Sequence, residues 1–240
     1  MVSLRARLAA AVRALAVCLI AHTAVAADPT PPAPAVQDPV ALWLSNQADI
    51  QTWSARFLQT RALKTLAQPV QSEGRVWFQA PDRFRWELGQ PAQTVAVRQS
   101  NEVVVLYPRL RRAERYPLSP ESTGPWSQML SLLEAGFPKN RQDLDARFTI
   151  TSETRTNDAV HLELRPKSST VRRMLPKLRI VLSATHATLQ ATELVFADGS
   201  SMRNDFSEAQ INPPLDPQTF HLTLGPEVTV TEPLRNTKKR

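Results

Sequence analysis

The chain of 240 residues carries 29 Lys+Arg against 22 Asp+Glu, a formal charge of +7, with 42% apolar residues, 20 prolines, six glycines and one cysteine. That length and apolar content can bury the core of one large domain or two small ones, and the charge invites a polyanion or an acidic membrane as partner. The six glycines (Gly74, Gly89, Gly124, Gly136, Gly199 and Gly225) lie at least twelve residues apart, which excludes G-x-G-x-x-G, G-x-x-x-x-G-K-[ST] and G-x-S-x-G, and with them dinucleotide, P-loop and α/β-hydrolase functions.

At the N-terminus Arg5, Arg7 and Arg13 precede the apolar stretch Ala14 to Ala21, and Ala24-Val25-Ala26 follows. This is the order of a secretory signal peptide over residues 1–26, with cleavage near Ala26. The apolar run is far short of the roughly 20 residues that a membrane span needs. Cys18 reads poorly as a lipid-modified cysteine, because Val17 stands where a small residue is wanted and Arg13 interrupts the apolar run. Cleavage removes this single cysteine, so the mature chain is expected to rely on packing alone.

Residues 27–37, ADPTPPAPAVQ, read as an extended proline-rich linker. Asp38-Pro39 is an N-cap followed by proline at the first helical position, and Val40, Trp43, Leu44, Gln47 and Ile50 recur at helical spacing, which predicts about three turns of amphipathic helix. Beyond Trp53 the period changes. Phe84, Trp86 and Leu88 alternate with Arg83, Arg85 and Glu87, the cleanest strand pattern in the chain. Strands are also expected near 55–65, 73–79, 94–99, 102–107 and 110–116, then 147–152, 159–164, 178–183, 189–196, 201–207 and 218–223. Between the two groups Trp126, Met129, Leu130 and Leu133 predict a second amphipathic helix, stopped at Gly136 and Pro138. The expected fold is mainly β, one large antiparallel sheet, strongly curved or barrel-like, with two or three inserted helices.

Local signatures of chemistry are scarce. After cleavage three histidines remain, His161, His186 and His221, with no H-E-x-x-H or H-x-x-x-H pair and no cysteine ligands. His161 and Glu163 share one strand face, half a metal site at best and more simply two polar groups on a solvated face. No catalytic residue, metal or cofactor is expected. Arginines cluster at Arg109, Arg111, Arg112 and Arg115, and the stretch from Arg165 to Thr192 holds six basic residues and no acid. It reads equally as a docking surface and as a solvated loop. Of the charge of +7, three units lie in the signal segment and four in the last six residues, so residues 27–234 are neutral and nucleic acid is not an expected partner. What stands out is apolar bulk: five tryptophans and eight phenylalanines, more than a few helices can cover on a flat sheet. Either the sheet closes around an ordinary core or it encloses an apolar cavity under a helical lid.

The runs Phe57-Leu58-Gln59, Ser72-Glu73-Gly74-Arg75-Val76-Trp77-Phe78, Pro81-Asp82-Arg83-Phe84-Arg85-Trp86-Glu87 and Val105-Leu106-Tyr107-Pro108 resemble, in order and spacing, elements of the LolA family of periplasmic outer-membrane lipoprotein carriers. Leu162-Glu163-Leu164-Arg165-Pro166, Phe196-Ala197-Asp198-Gly199 and Phe206 to Phe220 are similar to its C-terminal strands. The resemblance covers most of 38–230, which it implies is a single carrier domain, leaving 231–240 as a basic tail. It implies an unclosed antiparallel β-barrel of about eleven strands, with a helical lid over an apolar cavity. It further implies a monomeric periplasmic carrier that takes lipoprotein acyl chains from an inner-membrane ABC transporter to an outer-membrane acceptor. Strand and helix faces that alternate with charge nominate Phe57, Phe78, Phe84, Trp86, Leu106, Met129, Leu130 and Leu133 as the lining of that cavity. The family places a basic residue directly before the motif's proline, where it holds the lid. Here that position is Ala80, so Arg83, Arg85, Arg109, Arg172 and Arg173 become the candidates for a latch or a docking contact. Two other functions fit the same residues: carriage of another lipid or glycolipid tied to a biosynthetic cluster, and a periplasmic sensor or regulator responding to lipoprotein.

Overall fold

The computed structural model describes residues 38–99, 101–118 and 137–233. They form one 12-stranded sheet: β1 Thr52–Ala62, β2 Val70–Gln79, β3 Arg83–Leu88, β4 Thr94–Gln99, β5 Glu102–Tyr107, β6 Arg112–Pro117, β7 Phe148–Arg155, β8 Ala159–Pro166, β9 Lys177–Ser183, β10 Leu189–Val195, β11 Ser201–Ile211 and β12 Thr229–Thr231. Their spatial order is β12-β6-β5-β4-β3-β2-β1-β11-β10-β9-β8-β7, so the sheet has two edges and does not close. All neighbours run antiparallel except β12, which lies parallel to β6. The long meanders β1 to β6 and β7 to β11 meet where β1 pairs β11, with Phe57 opposite Phe206 and Gln59 opposite Asn204.

Alternation divides this sheet into an inner and an outer face. On β8, β9 and β10 the inner residues Leu162, Leu164, Leu178, Ile180, Leu182 and Leu194 are buried under three helices. The first is α1, Pro39–Asn46, continued by one 3₁₀ turn over Gln47–Asp49. Its start follows the sequence signal, since the Asp38 side chain accepts from Val40 N at 3.2 Å and proline occupies the first turn. Pro39, Val40, Trp43 and Leu44 are the residues it buries. The other two, α2 (Arg141–Arg147) and α3 (Ser169–Met174), are capped by Asn140 and Ser168 and were not foreseen. α2 sends Leu144 into this core, and the turn after α3 adds Leu175.

On the other half of the inner face a second cluster gathers Trp53, Ala55, Phe57, Val76, Phe84, Trp86, Ala96, Val103, Val105 and Tyr116. Phe57 depends on a glycine. It pairs with Gly74, and a Cβ there would stand 2.1 Å from Phe57 Cζ and 2.4 Å from the Glu87 carbonyl oxygen. The ring lies on the strand itself and reaches Trp86 on β3, centroid to centroid 4.0 Å.

The outer face has its own cover. The expected strand over 218–223 is instead a 3₁₀ turn, Pro217–Phe220, capped by Asp216 and carrying the buried Phe220 onto β3 and β4. The Asp-Pro pair that starts it is a helix signal of the same kind as Asp38-Pro39. The helix expected around Trp126 to Leu133 lies outside the described residues.

Gly74→Ala is expected to destabilise the protein by roughly 1–3 kcal/mol, because the new methyl must displace either Phe57 or the β3 backbone. A fall in the urea midpoint at constant m-value checks this, and an unchanged midpoint contradicts the close approach.

Candidate functional site

The inner face over β1 to β6 is unusually aromatic. Trp53 packs edge-on against Phe137 (4.9 Å) and Phe206 (5.2 Å), Phe57 lies against Trp86 and, at 6.4 Å, Phe206, and Phe78 stacks on Phe137 at 5.2 Å with 9° between ring planes. Pairs of this kind contribute about 0.5–1.5 kcal/mol each beyond their area burial. Phe137 and Phe206 also border the neighbouring core under α1, so the rings join the two halves of the inner face.

Two clefts flank these rings. One, of about 610 Å³, is walled by Phe78, Phe84 and Phe137 and rimmed by Arg98, Lys139, Arg147, Asp82 and Asp143, beside Ala80 and Pro81. The other, of about 650 Å³, is lined by Trp86, Leu88, Tyr107, Tyr116, Met174, Phe196 and Met202, with Gln59, Arg61, Asp198 and Ser200 among its polar groups. Both volumes fall in the range of about 300–1,000 Å³ common for small-molecule sites.

Polar groups on this face are few and placed. Gln59 and Asn204 are buried and joined by a Gln59 Nε2 to Asn204 Oδ1 bond of 3.0 Å. Tyr116 (2.6 Å) and Tyr107 (3.2 Å) both donate to Glu114 Oε2, and Arg112 holds Glu114 Oε1 at 3.1 Å while its guanidinium lies 5.0 Å from the Tyr107 ring centre. Burial first, and then the Glu114 carboxylate, push the Tyr116 phenol well above the ordinary tyrosine value. Among the described residues three donors on the inner face have no partner: Arg98 Nε, and Trp86 Nε1 and Asn204 Nδ2 on side chains 2% and 0% exposed. Such a group costs about 1–3 kcal/mol when nothing accepts from it.

Of the residues that the sequence nominated for the lining, Phe57, Phe84 and Trp86 are buried together in the aromatic cluster, and Phe78 packs against it half-buried. Leu106 is not on that face. Its register partners are Val95 on β4 and Ala113 on β6, which alternate to the outer side, whereas Val105 and Tyr107 turn inward. Met129, Leu130 and Leu133 lie outside the described residues.

The five nominated arginines do not reach the clefts. Arg83 is exposed at the start of β3, and Arg109 is exposed in the turn before β6. Arg173 is exposed on α3. Arg172 donates to the Pro166 and Lys167 carbonyls. Arg85 is on the outer face, where it binds Glu87 and donates to the Thr219 carbonyl at 3.2 Å, tying down the 3₁₀ turn. Two other arginines line the cleft beside Ala80-Pro81, Arg147 from α2, paired with Asp143 at 2.6 Å, and Arg98, paired with Asp82 at 2.9 Å. Arg98 sits inward on β4, two residues beyond Ala96, and inward alternation along that strand is the signal that finds it. The basic stretch after Arg165 is partly neutralised across strands: Lys177 and Arg179 bind Glu163, and Arg179 also binds Glu193. Glu163 is held below the usual carboxylate range, chiefly by the Lys177 ammonium.

A model of the family described as "Outer membrane lipoprotein carrier protein LolA" matches residues 48–223. An outer-membrane lipoprotein carrier protein from Dechloromonas aromatica is 24% identical over 173 residues, covering 72% of this chain and 77% of the relative. One from Coxiella burnetii is 27% identical over 180 residues, with the same two coverages. Among solved structures, a LolA superfamily protein from Nitrosomonas europaea aligns with TM-score 0.40 at 12% identity, over 76% of this chain and 97% of that one. An uncharacterised conserved protein from Thermus thermophilus aligns with TM-score 0.47 at 10% identity, over 79% and 95%.

With its pKa raised on folding, Tyr116 keeps its proton above about pH 10, where an unfolded tyrosine releases it. Its contribution to stability is therefore complete below about pH 10 and is lost as pH rises beyond that. Tyrosinate absorbance is expected to show a late-titrating component that Tyr116→Phe removes, and a normal titration near pH 10 for both tyrosines contradicts the placement.

Proposed function

The chain belongs to the LolA family of outer-membrane lipoprotein carriers, and on that premise we propose that it binds the acyl chains of lipoproteins on the inner face of its sheet and carries them through the periplasm from the inner to the outer membrane. The observation that supports this most is the aromatic cluster with a cleft on either side. The rings have other rings as partners when the site is empty, and apolar chain when it is filled.

The energetics favour such an arrangement. Each CH₂ withdrawn from water contributes about 0.8 kcal/mol, so several long chains entering a preformed dry cavity would bind too tightly to be passed on. Chains that must part Trp53, Phe137, Phe78 and Phe206 from one another lose contacts of the same kind as those they gain. The net affinity is then small, and cargo moves down modest differences between donor and acceptor without an energy source at the carrier. An inner-membrane transporter as donor and an outer-membrane protein as acceptor complete the path, with export directed by the segment 1–26. Carriage asks for no catalytic group.

Expressed in a Gram-negative periplasm, the protein is expected to co-purify with acylated protein detectable by native mass spectrometry, and to bind N-phenyl-1-naphthylamine with enhanced fluorescence. Leu88→Glu places a charge on the wall of the second cleft at a half-buried position. It should lower dye affinity about tenfold or more with little loss of thermal stability. A different lipid in the mass spectrum moves the cargo from lipoprotein to that lipid, and a Leu88→Glu variant that binds like the wild type overturns the site.

A further inference from the structure

We infer that Trp86 is a specificity-determining residue of this face, its indole N–H held for the carbonyl oxygen of an ester- or amide-linked acyl chain; this rests on the carrier reading above. Trp86 Nε1 is buried and has no partner among the described residues, although Trp86 lines the 650 Å³ cleft. Buried donors are almost always paired, so an exception on a cavity wall marks a place where an occupant supplies the acceptor. Trp43 Nε1 is also unpartnered, but Trp43 is fully buried in the core beneath α1 and borders neither cleft, so no ligand can serve it. The two indoles differ in access and not in chemistry.

Two acceptors near the second cleft are engaged by the protein's own donors. Glu114 takes the Tyr107 and Tyr116 hydroxyls and the Arg112 guanidinium. The Asn204 amide oxygen takes Gln59 Nε2, which leaves Asn204 Nδ2 as a second donor without a partner, on the strand beside Gln59. The unpartnered Trp86 N–H, set beside Leu88, Met202 and the ring of Phe57, suits a ligand that is apolar along its length and carries a carbonyl acceptor at one end. An acyl ester or amide carbonyl attached to its chain has that composition, and a plain alkyl chain does not.

The test compares dioctanoylglycerol with the chain-matched dioctyl ether of glycerol, which keeps the hydrocarbon and lacks both carbonyls, each displacing N-phenyl-1-naphthylamine. The wild-type protein is expected to prefer the ester by about 3- to 10-fold, the span of one buried neutral hydrogen bond. Trp86→Phe keeps an aromatic ring without the N–H and should abolish that preference, bringing ester and ether to the same affinity whatever the smaller ring costs both. In protein labelled with ¹⁵N-tryptophan the Trp86 indole resonance should move downfield with the ester and stay with the ether, while that of Trp43 stays with both. This second measurement on the wild type decides the matter if the variant folds poorly. Equal affinity for ester and ether, equal losses for both in Trp86→Phe, or a motionless Trp86 resonance overturns the inference and leaves the carrier reading intact. Binding of neither lipid by the wild type overturns both.

Discussion

Phe57 lies over Gly74, and the inner face is organised around that contact. The neighbouring strand has to be bare where the ring crosses it, since a Cβ at Gly74 would fall 2.1 Å from Phe57 Cζ. With the ring flat on β2, Trp86 can close against it at 4.0 Å, and Phe206, opposite Phe57 on β11, meets it at 6.4 Å. The cluster thus spans the junction of the two meanders, and the clefts to either side are what the rings leave unfilled. One residue without a side chain permits a surface that is aromatic and also shallow, so that its rings pack on one another and not only on the sheet.

Much of this was legible where one face of a strand is wet. On β3, Phe84 and Trp86 alternate with Arg83, Arg85 and Glu87, and the structure buries the first pair on the inner face. On β5 the same logic misplaces Leu106. Val103, Val104 and Val105 are all buried, so the strand has no polar side to show which way its residues point. A slip of one residue then sends a side chain to the wrong face. The short helices α2 and α3 leave no apolar period, since α2 buries only Leu144 and α3 buries no residue, though their caps Asn140 and Ser168 are written plainly. β12 is three exposed residues held by backbone bonds, which leave no pattern in side chains.

The arginines show the same limit. Counting charge along the chain separates residues 1–26 and 235–240 from a neutral body, and that much needs no structure. It cannot tell an arginine that braces an outer turn, as Arg85 does through the Thr219 carbonyl, from one that faces a cleft, as Arg98 does beside Asp82. Both sit on neighbouring strands, and only the pairing register assigns them to opposite faces. For a carrier this distinction matters, because a charge on the outer face is available to partner proteins and one at the rim of a cleft meets the cargo.

Carriage of the proposed kind requires cargo to lie on the inner face and not on the outer one. Photo-crosslinking tests it directly, with p-benzoylphenylalanine placed either at Leu88, on the wall of the second cleft, or at Leu106, on the outer side of β5. Irradiated in a Gram-negative periplasm that exports acylated lipoprotein, the protein should give a lipoprotein adduct from position 88 and none from position 106. Adducts from 106 alone, or at equal yield from both, would contradict it.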